Sequence, residues 1–215
     1  MKRNGFVLSE SQEMSMVPQL RPRVEGDREE EILEATIELL VELGYHRLTL
    51  DAVARQARAS KATLYRRWES KPALVIDALI KAKDMPDPEL PNTGSLRGDL
   101  IATFCGTHGM ANSRATEVLG SVITAVSTDE EFARLFRERF IAPKLAVTEA
   151  IYAHAIERGE ISPDIDLDII GPALAGVCLH RAYLMGQPPD EELITRVIDH
   201  LIIPAATHGA PVSAS

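Results

Sequence analysis

Residues 59–71 read ASKATLYRRWESK and set the cations Lys61, Arg66, Arg67 and Lys71 beside the aromatics Tyr65 and Trp68. Cations interleaved with aromatics are the chemistry of polyanion binding, and nucleic acid is the polyanion they suit. The chain around them is acidic, with a net charge of -9. Residues 45–71 nevertheless hold seven cations, adding Arg47, Arg55 and Arg58, against Asp51 and Glu69 alone. Residues 72–215 hold eleven cations against twenty anions. A basic island in an acidic chain can face phosphate while the remainder repels it.

Other chemistry finds little support. Asp164, Asp166 and Asp168 have calcium-loop spacing, but Ile169 and Ala175 stand where such a loop needs glycine and glutamate. Those carboxylates read as helix caps, and no metal site is expected. The six histidines (His46, His108, His154, His180, His200, His208) form no HxxxH or HExxH pattern. There is no G-x-S-x-G and no glycine-rich phosphate loop, so no catalytic residue and no cofactor is assigned. Cys105 and Cys178 lie far apart in apolar helical segments and read as buried thiols in a reducing compartment. No apolar run reaches the roughly 18 residues of a membrane span, and the N-terminus has no signal-peptide pattern. A cytoplasmic protein is expected.

The basic island needs elements to position it. Ile32, Ala35, Leu39 and Leu43 recur at helical spacing with glutamates opposite, and Gly44 follows as a left-handed stop. Thr49 precedes LDAVARQA, Ser60 precedes KATLYRRW and Ser70 precedes KPALVIDALIKAKD; each hydroxyl can cap a short helix. Arg58 and Ala59 leave room for a tight turn only. Four helices with such a turn between the second and third form a helix-turn-helix. On the third helix Leu64 and Trp68 share an inner face, which leaves Lys61, Thr63, Arg66 and Arg67 to project, with Tyr65 at the edge. That helix fits a major groove, where lysine and arginine donate to guanine, and Lys71 can clamp the backbone from its flank.

No segment alternates with a period of two, so the chain reads as all-α. The expected organisation is a polar arm at 1–23, a helix-turn-helix domain with its connecting helix at 24–83 and a proline-rich linker at 84–95. A larger helical domain follows at 96–204, then a flexible tail at 205–215. Within the larger domain the periodicity predicts helices near 96–109, 112–126, 129–158 (with a break at Pro143), 166–185 and 190–203.

The run LTLDAVARQARASKATLYRRWESKPALV resembles the helix-turn-helix of the TetR family of bacterial transcriptional regulators, through its TLY…W.SK..L core above all. The resemblance covers residues 27–83; beyond them only length and helical character agree. It implies phosphate contacts at Thr49, Tyr65 and Lys71, and base contacts at Lys61, Thr63 and Arg66. Two positions depart from the family pattern. Trp68 replaces a phenylalanine, and Arg58 stands where glycine makes the turn, at a cost of about 1 kcal/mol if φ is positive but with a phosphate contact to gain.

The resemblance also implies a homodimer that binds a palindromic operator in double-stranded DNA, with the last two long helices of each subunit forming the seam. Leu174, Val177, Ile194, Val197, Ile198 and Leu201 are the residues expected there. Phe104, Cys105, His108, Phe136, Tyr152, Cys178 and Arg181 are the expected lining of a small-molecule site. The ligand would be mostly hydrophobic, anchored by His108 or Arg181. The expected function is a repressor relieved by that ligand; a ligand-free regulator, an activator, and a helical enzyme or scaffold are the alternatives.

Overall fold

The computed structural model describes residues 25–83, 90–106, 109–110 and 113–208. The expected arm, residues 84–89 of the linker, His108 and residues 209–215 of the tail lie outside the described residues. Among the described residues every regular element is helical.

Helix α1 (Glu25–Leu43) is the central post of the N-terminal part. Ile32, Leu33, Ala35, Ile37, Leu39 and Leu40 are all buried, because α2, α4 and α6 approach it from different sides. Thr36 is also buried, and its hydroxyl donates to the Ile32 carbonyl at 2.8 Å. Gly44 ends the helix at φ +74°, the left-handed stop its sequence position predicts. Helices α2 (Leu50–Gln56), α3 (Lys61–Arg67) and α4 (Lys71–Ala82) begin at Thr49, Ser60 and Ser70. Each of these side chains accepts a hydrogen bond from a backbone N–H of the first turn. Pro72 occupies the first turn of α4, where its missing N–H is not needed.

Helices α5 (Leu96–Cys105), α6 (Ser113–Val122) and the short α7 (Ala125–Thr128) follow. Helix α5 stops earlier than its periodicity predicts, at Gly106, and the expected 112–126 helix closes at Val122. Helix α8 (Glu130–Leu135) passes through a wide π-turn at Phe136–Ile141 into α9 (Ala142–Glu157). The expected break at Pro143 is therefore replaced by a continuous helix. The wide turn just before the proline accommodates the ring and the hydrogen bond it cannot donate. Helix α10 (Leu167–Leu179) extends through a second π-turn to Leu184. Helix α11 (Glu191–Val197) extends through a third into α12 (Ile203–His208). The last helix thus runs past residue 204, and Ala206 is buried.

Two apolar cores result, and their border does not follow the linker. The first joins α1–α4 to Val118, Val122, Ala125, Phe132, Phe136 and Phe140. The second joins α5 to α9–α12. Tyr45, Phe132, Phe136 and Phe140 stack in file, with successive ring centroids 4.7, 5.8 and 5.0 Å apart. This file ties the N-terminal helices to α8 and the first π-turn.

Candidate nucleic-acid interface

The turn between α2 and α3 fixes how the two helices meet. Arg58 has φ +52°, the sole positive φ outside glycine among the described residues. Its N–H donates to the Arg55 carbonyl at 3.2 Å, and the Ala59 N–H donates to the Ala54 carbonyl at 2.8 Å. This paired 5→2 and 6→1 closure usually has glycine at the left-handed position. The same closure recurs after α9 with Gly159 in that place, at φ +72°. Arg58 bears the strain, and its carbonyl accepts from Arg28 on α1. The guanidinium of Arg58 is left at the exposed turn.

Helix α3 shows the two faces its pattern predicts. Leu64 and Trp68 are buried, whereas Lys61, Tyr65 and Arg66 are exposed, Tyr65 to 56%. Lys61 pairs with Asp51 at 2.5 Å, which holds its ammonium across the α2–α3 angle. Thr63 is half-buried, with its hydroxyl 2.8 Å from that of Ser60. Arg66 makes no ion pair among the described residues.

Two cations are committed elsewhere. Arg67 makes a two-point contact with Glu29 at 3.1 and 2.9 Å and lies 5.6 Å from the Trp68 ring centroid, so it fastens α3 to α1. Lys71 turns inward from its expected place at the flank. Its ammonium donates to the Tyr45 carbonyl at 3.1 Å and lies 4.1 Å over the Tyr45 ring, and burial lowers its pKa.

Helices α2 and α3 are braced from behind by contacts between residues far apart in the chain. The Trp68 indole N–H donates to Asp77 at 2.9 Å, and Asp77 is bridged to Arg139 in the first π-turn. The Tyr45 hydroxyl donates to Asp129 at 2.6 Å. Asp129 also caps α8 through the Phe132 N–H, at 2.9 Å. Burial would raise the Asp129 pKa, but the Phe132 N–H, the Tyr45 hydroxyl and the Lys71 charge outweigh it, and the carboxyl sits low. A groove of about 390 Å³ between α1 and the α2–α3 turn is lined by Glu31, Glu34 and Glu38 on one side and by Gln56 and Arg58 on the other, so three carboxylates stand near Arg58.

The residues expected around a ligand do not share one place. Tyr152 and Cys178 lie in the second core, with Phe104 and Cys105 packed against it. Burial raises the Tyr152 hydroxyl to about 12 and the Cys178 thiol to about 11. The buried Nε of Arg181 has no hydrogen-bond partner. Phe136 belongs to the first core, stacked between Phe132 and Phe140, so it does not line a site with the others.

The expected seam divides in the same way. Leu174, Ile194, Val197 and Ile198 are buried inside the subunit, where they hold its own helices together, and cannot also face a partner. Leu201 is exposed and Val177 is half-buried. The apolar side chains open to solvent nearby are Ile169, Leu184, Met185 and Leu201. Asp166 caps α10 by accepting from the Asp168 N–H at 3.1 Å, and no metal-ligand cluster occurs among the described residues. No described helix is long and apolar enough to cross a membrane.

Comparison with known proteins accords with this geometry. Residues 32–78 match the bacterial regulatory proteins of the tetR family, and residues 90–201 match the tetracyclin repressor-like C-terminal domain. An uncharacterized HTH-type transcriptional regulator of Mycobacterium tuberculosis is 37% identical over 184 residues, covering 84% of this chain and 88% of its own. The DNA-binding transcriptional repressor TetR of Mycobacteroides abscessus is 32% identical, covering 83% of this chain and 94% of its own. Among solved structures, the TetR family transcription regulator SCO0332 superposes with a TM-score of 0.61 at 32% identity, over 86% of this chain and 99% of that one. The transcriptional regulator FadR from Bacillus subtilis, solved with stearoyl-CoA, shares the fold with a TM-score of 0.57 at 16% identity, over 85% of this chain and 99% of its own. A capped helix-turn-helix on an all-helical body, matched along both halves, makes this chain a transcriptional regulator rather than an enzyme, and it belongs to the TetR family.

Proposed function

We propose that the protein is a homodimeric repressor that binds a palindromic operator and leaves it when a small, mostly apolar ligand binds the C-terminal helices. The observation that carries this reading is the exposed face of α3, where Lys61, Tyr65 and Arg66 stand on a buried Leu64–Trp68 base. Lys61, Thr63 and Arg66 are assigned to base edges, and Thr49, Arg58 and Tyr65 to phosphates. The repressor named among the relatives supports the sign of regulation. The acyl-CoA complex of a structural neighbour supports an apolar ligand. The outward apolar side chains of α10 and the last helix support a dimer, with the seam now assigned to Ile169, Val177, Leu184 and Leu201.

Selection of bound fragments from random duplex DNA tests the reading. A two-fold symmetric consensus with half-sites one helical turn apart, or a multiple of it, is expected. Tyr65→Ala should weaken all sequences alike, whereas Lys61→Ala or Arg66→Ala should cost about 1–3 kcal/mol at particular base pairs only. Selection that returns no consensus contradicts the proposal.

A further inference from the structure

Helix α4 and the continuous α8–α9 helix run side by side in the same direction, and polar contacts mark their register. Ser70 donates to Glu131 at 2.7 Å near the start of both helices. One stage further along, Asp77 is bridged to Arg139. The next stage brings Lys83, which caps the C-terminal end of α4, toward Lys144, the third residue of α9, close enough for their charges to interact. The first two stages set an acid against a donor or a cation; the third sets cation against cation.

Both lysines are half-buried, and neither forms an ion pair among the described residues. Lys83 donates to the Gly109 carbonyl at 2.7 Å. Lys144 donates to the Phe140 carbonyl at 2.7 Å, with its ammonium 3.3 Å over the Phe140 ring. Burial lowers both pKa values, and for Lys144 the charge of Lys83 adds to burial and brings it to about 7. One carbonyl each leaves two ammonium groups with donors to spare in a place that penalises their charge. An anion between them would relieve both penalties at once. The surroundings are apolar: Phe140 belongs to the first core, and Met110, beside Gly109, packs against the second.

We propose that Lys83 and Lys144 form the anchor for an organic anion, a carboxylate or phosphate head on an apolar body, held where the two cores meet. This rests on the effector reading above only for its regulatory consequence; the binding itself stands apart. The consequence follows from connectivity. Helix α4 starts at Lys71, with only three residues between it and the end of α3, so an anion that draws the far end of α4 toward α9 shifts the base on which α3 stands.

Decanoate, decyl phosphate, decanol and decyltrimethylammonium, titrated calorimetrically into the full chain, separate the head groups. The wild-type chain should bind one or both anions and neither the alcohol nor the cation. Lys83→Met and Lys144→Met should each weaken anion binding at least about tenfold, the worth of one charge-assisted contact. Lys144→Arg should restore most of it. The two Met variants should melt no lower than wild type, since each removes a charge that burial disfavours, and this keeps loss of binding distinct from loss of fold. Decanol binding as tightly as decanoate, Met variants binding the anions unchanged, or no binding of either anion would overturn the proposal. The ratio of decanoate to decyl phosphate affinity identifies the head group. If the anions bind through the lysines but operator DNA stays bound, the anchor stands and the effector reading fails. Release of operator by decanol in the wild type and both Met variants alike has the opposite meaning.

Discussion

A residue in the left-handed region without a glycine's freedom has a measurable cost. Arg58→Gly should raise stability by about 0.5–1 kcal/mol, because φ +52° costs arginine more than glycine's extra freedom in the unfolded chain. Thermal unfolding checks this, and a lower melting temperature would mean that the arginine side chain contributes more than its backbone costs. Asp99 and Asp129 give a second prediction. At Asp99 burial pushes the carboxyl up but is outweighed by the Thr93 N–H and hydroxyl and by Arg158, so both carboxyls are held below the usual range. A pKa depressed on folding contributes stability that is complete above the unfolded value of about 4 and is lost as pH falls through the folded value. Asp129→Asn should therefore destabilise the protein at pH 7 and make its acid unfolding less steep, as urea midpoints measured from pH 2 to 7 would show. These residues also mark how far the sequence could be read. The caps at Thr49, Ser60 and Ser70 were legible because donor and acceptor lie three residues apart. The Tyr45–Asp129 bond joins residues 84 apart, which no local pattern reports.

Helices were legible as units, but their rotation was less so. On α3 the inner pair Leu64 and Trp68 was set by spacing alone, since no other large aliphatic side chain lies on that helix. On α10 apolar residues surround the axis, and a step of one residue turns a side chain by about 100°. Leu174 and Cys178 consequently face the subunit's own core, while Ile169 and Leu184 face out. The one-residue offset between 170, 174, 178 and 169, 173, 177 was the signal available in the sequence. The wide turns at 136–141, 180–184 and 198–202 have no comparable local signature, apart from Pro143 just after the first. Trp68 is where an element-scale prediction belongs. Its indole N–H supplies a donor to Asp77 that the family's phenylalanine lacks, linking α3 to α4 and on to Arg139. Trp68→Phe should fold and cost about 1–2 kcal/mol in chemical denaturation, the worth of a hydrogen bond to a charged acceptor. No change would show that Asp77 is fully served by Arg139.

At the scale of the molecule, the N-terminal helices are not an independent head on a stalk. Their core continues into α6, α8 and the first π-turn, so a shift there has a packed route to α3. Dimerisation can be separated from folding by choosing the face. Leu184→Glu alters a side chain 75% exposed and should give a folded monomer in sedimentation, whereas Ile198→Glu buries an unpaired carboxylate and should unfold the subunit. A wild-type monomer at micromolar concentration would contradict the seam. The basic island remains the centre of the whole, and equilibrium fluorescence anisotropy on a selected operator and a scrambled duplex, at one fixed salt concentration, tests it most directly. The wild-type chain should prefer the operator by about 10³-fold or more, and Lys61→Ala/Arg66→Ala should reduce that preference to within about tenfold while keeping the fold. Equal wild-type affinity for both duplexes, or an undiminished preference in the double variant, would contradict α3 as the reader.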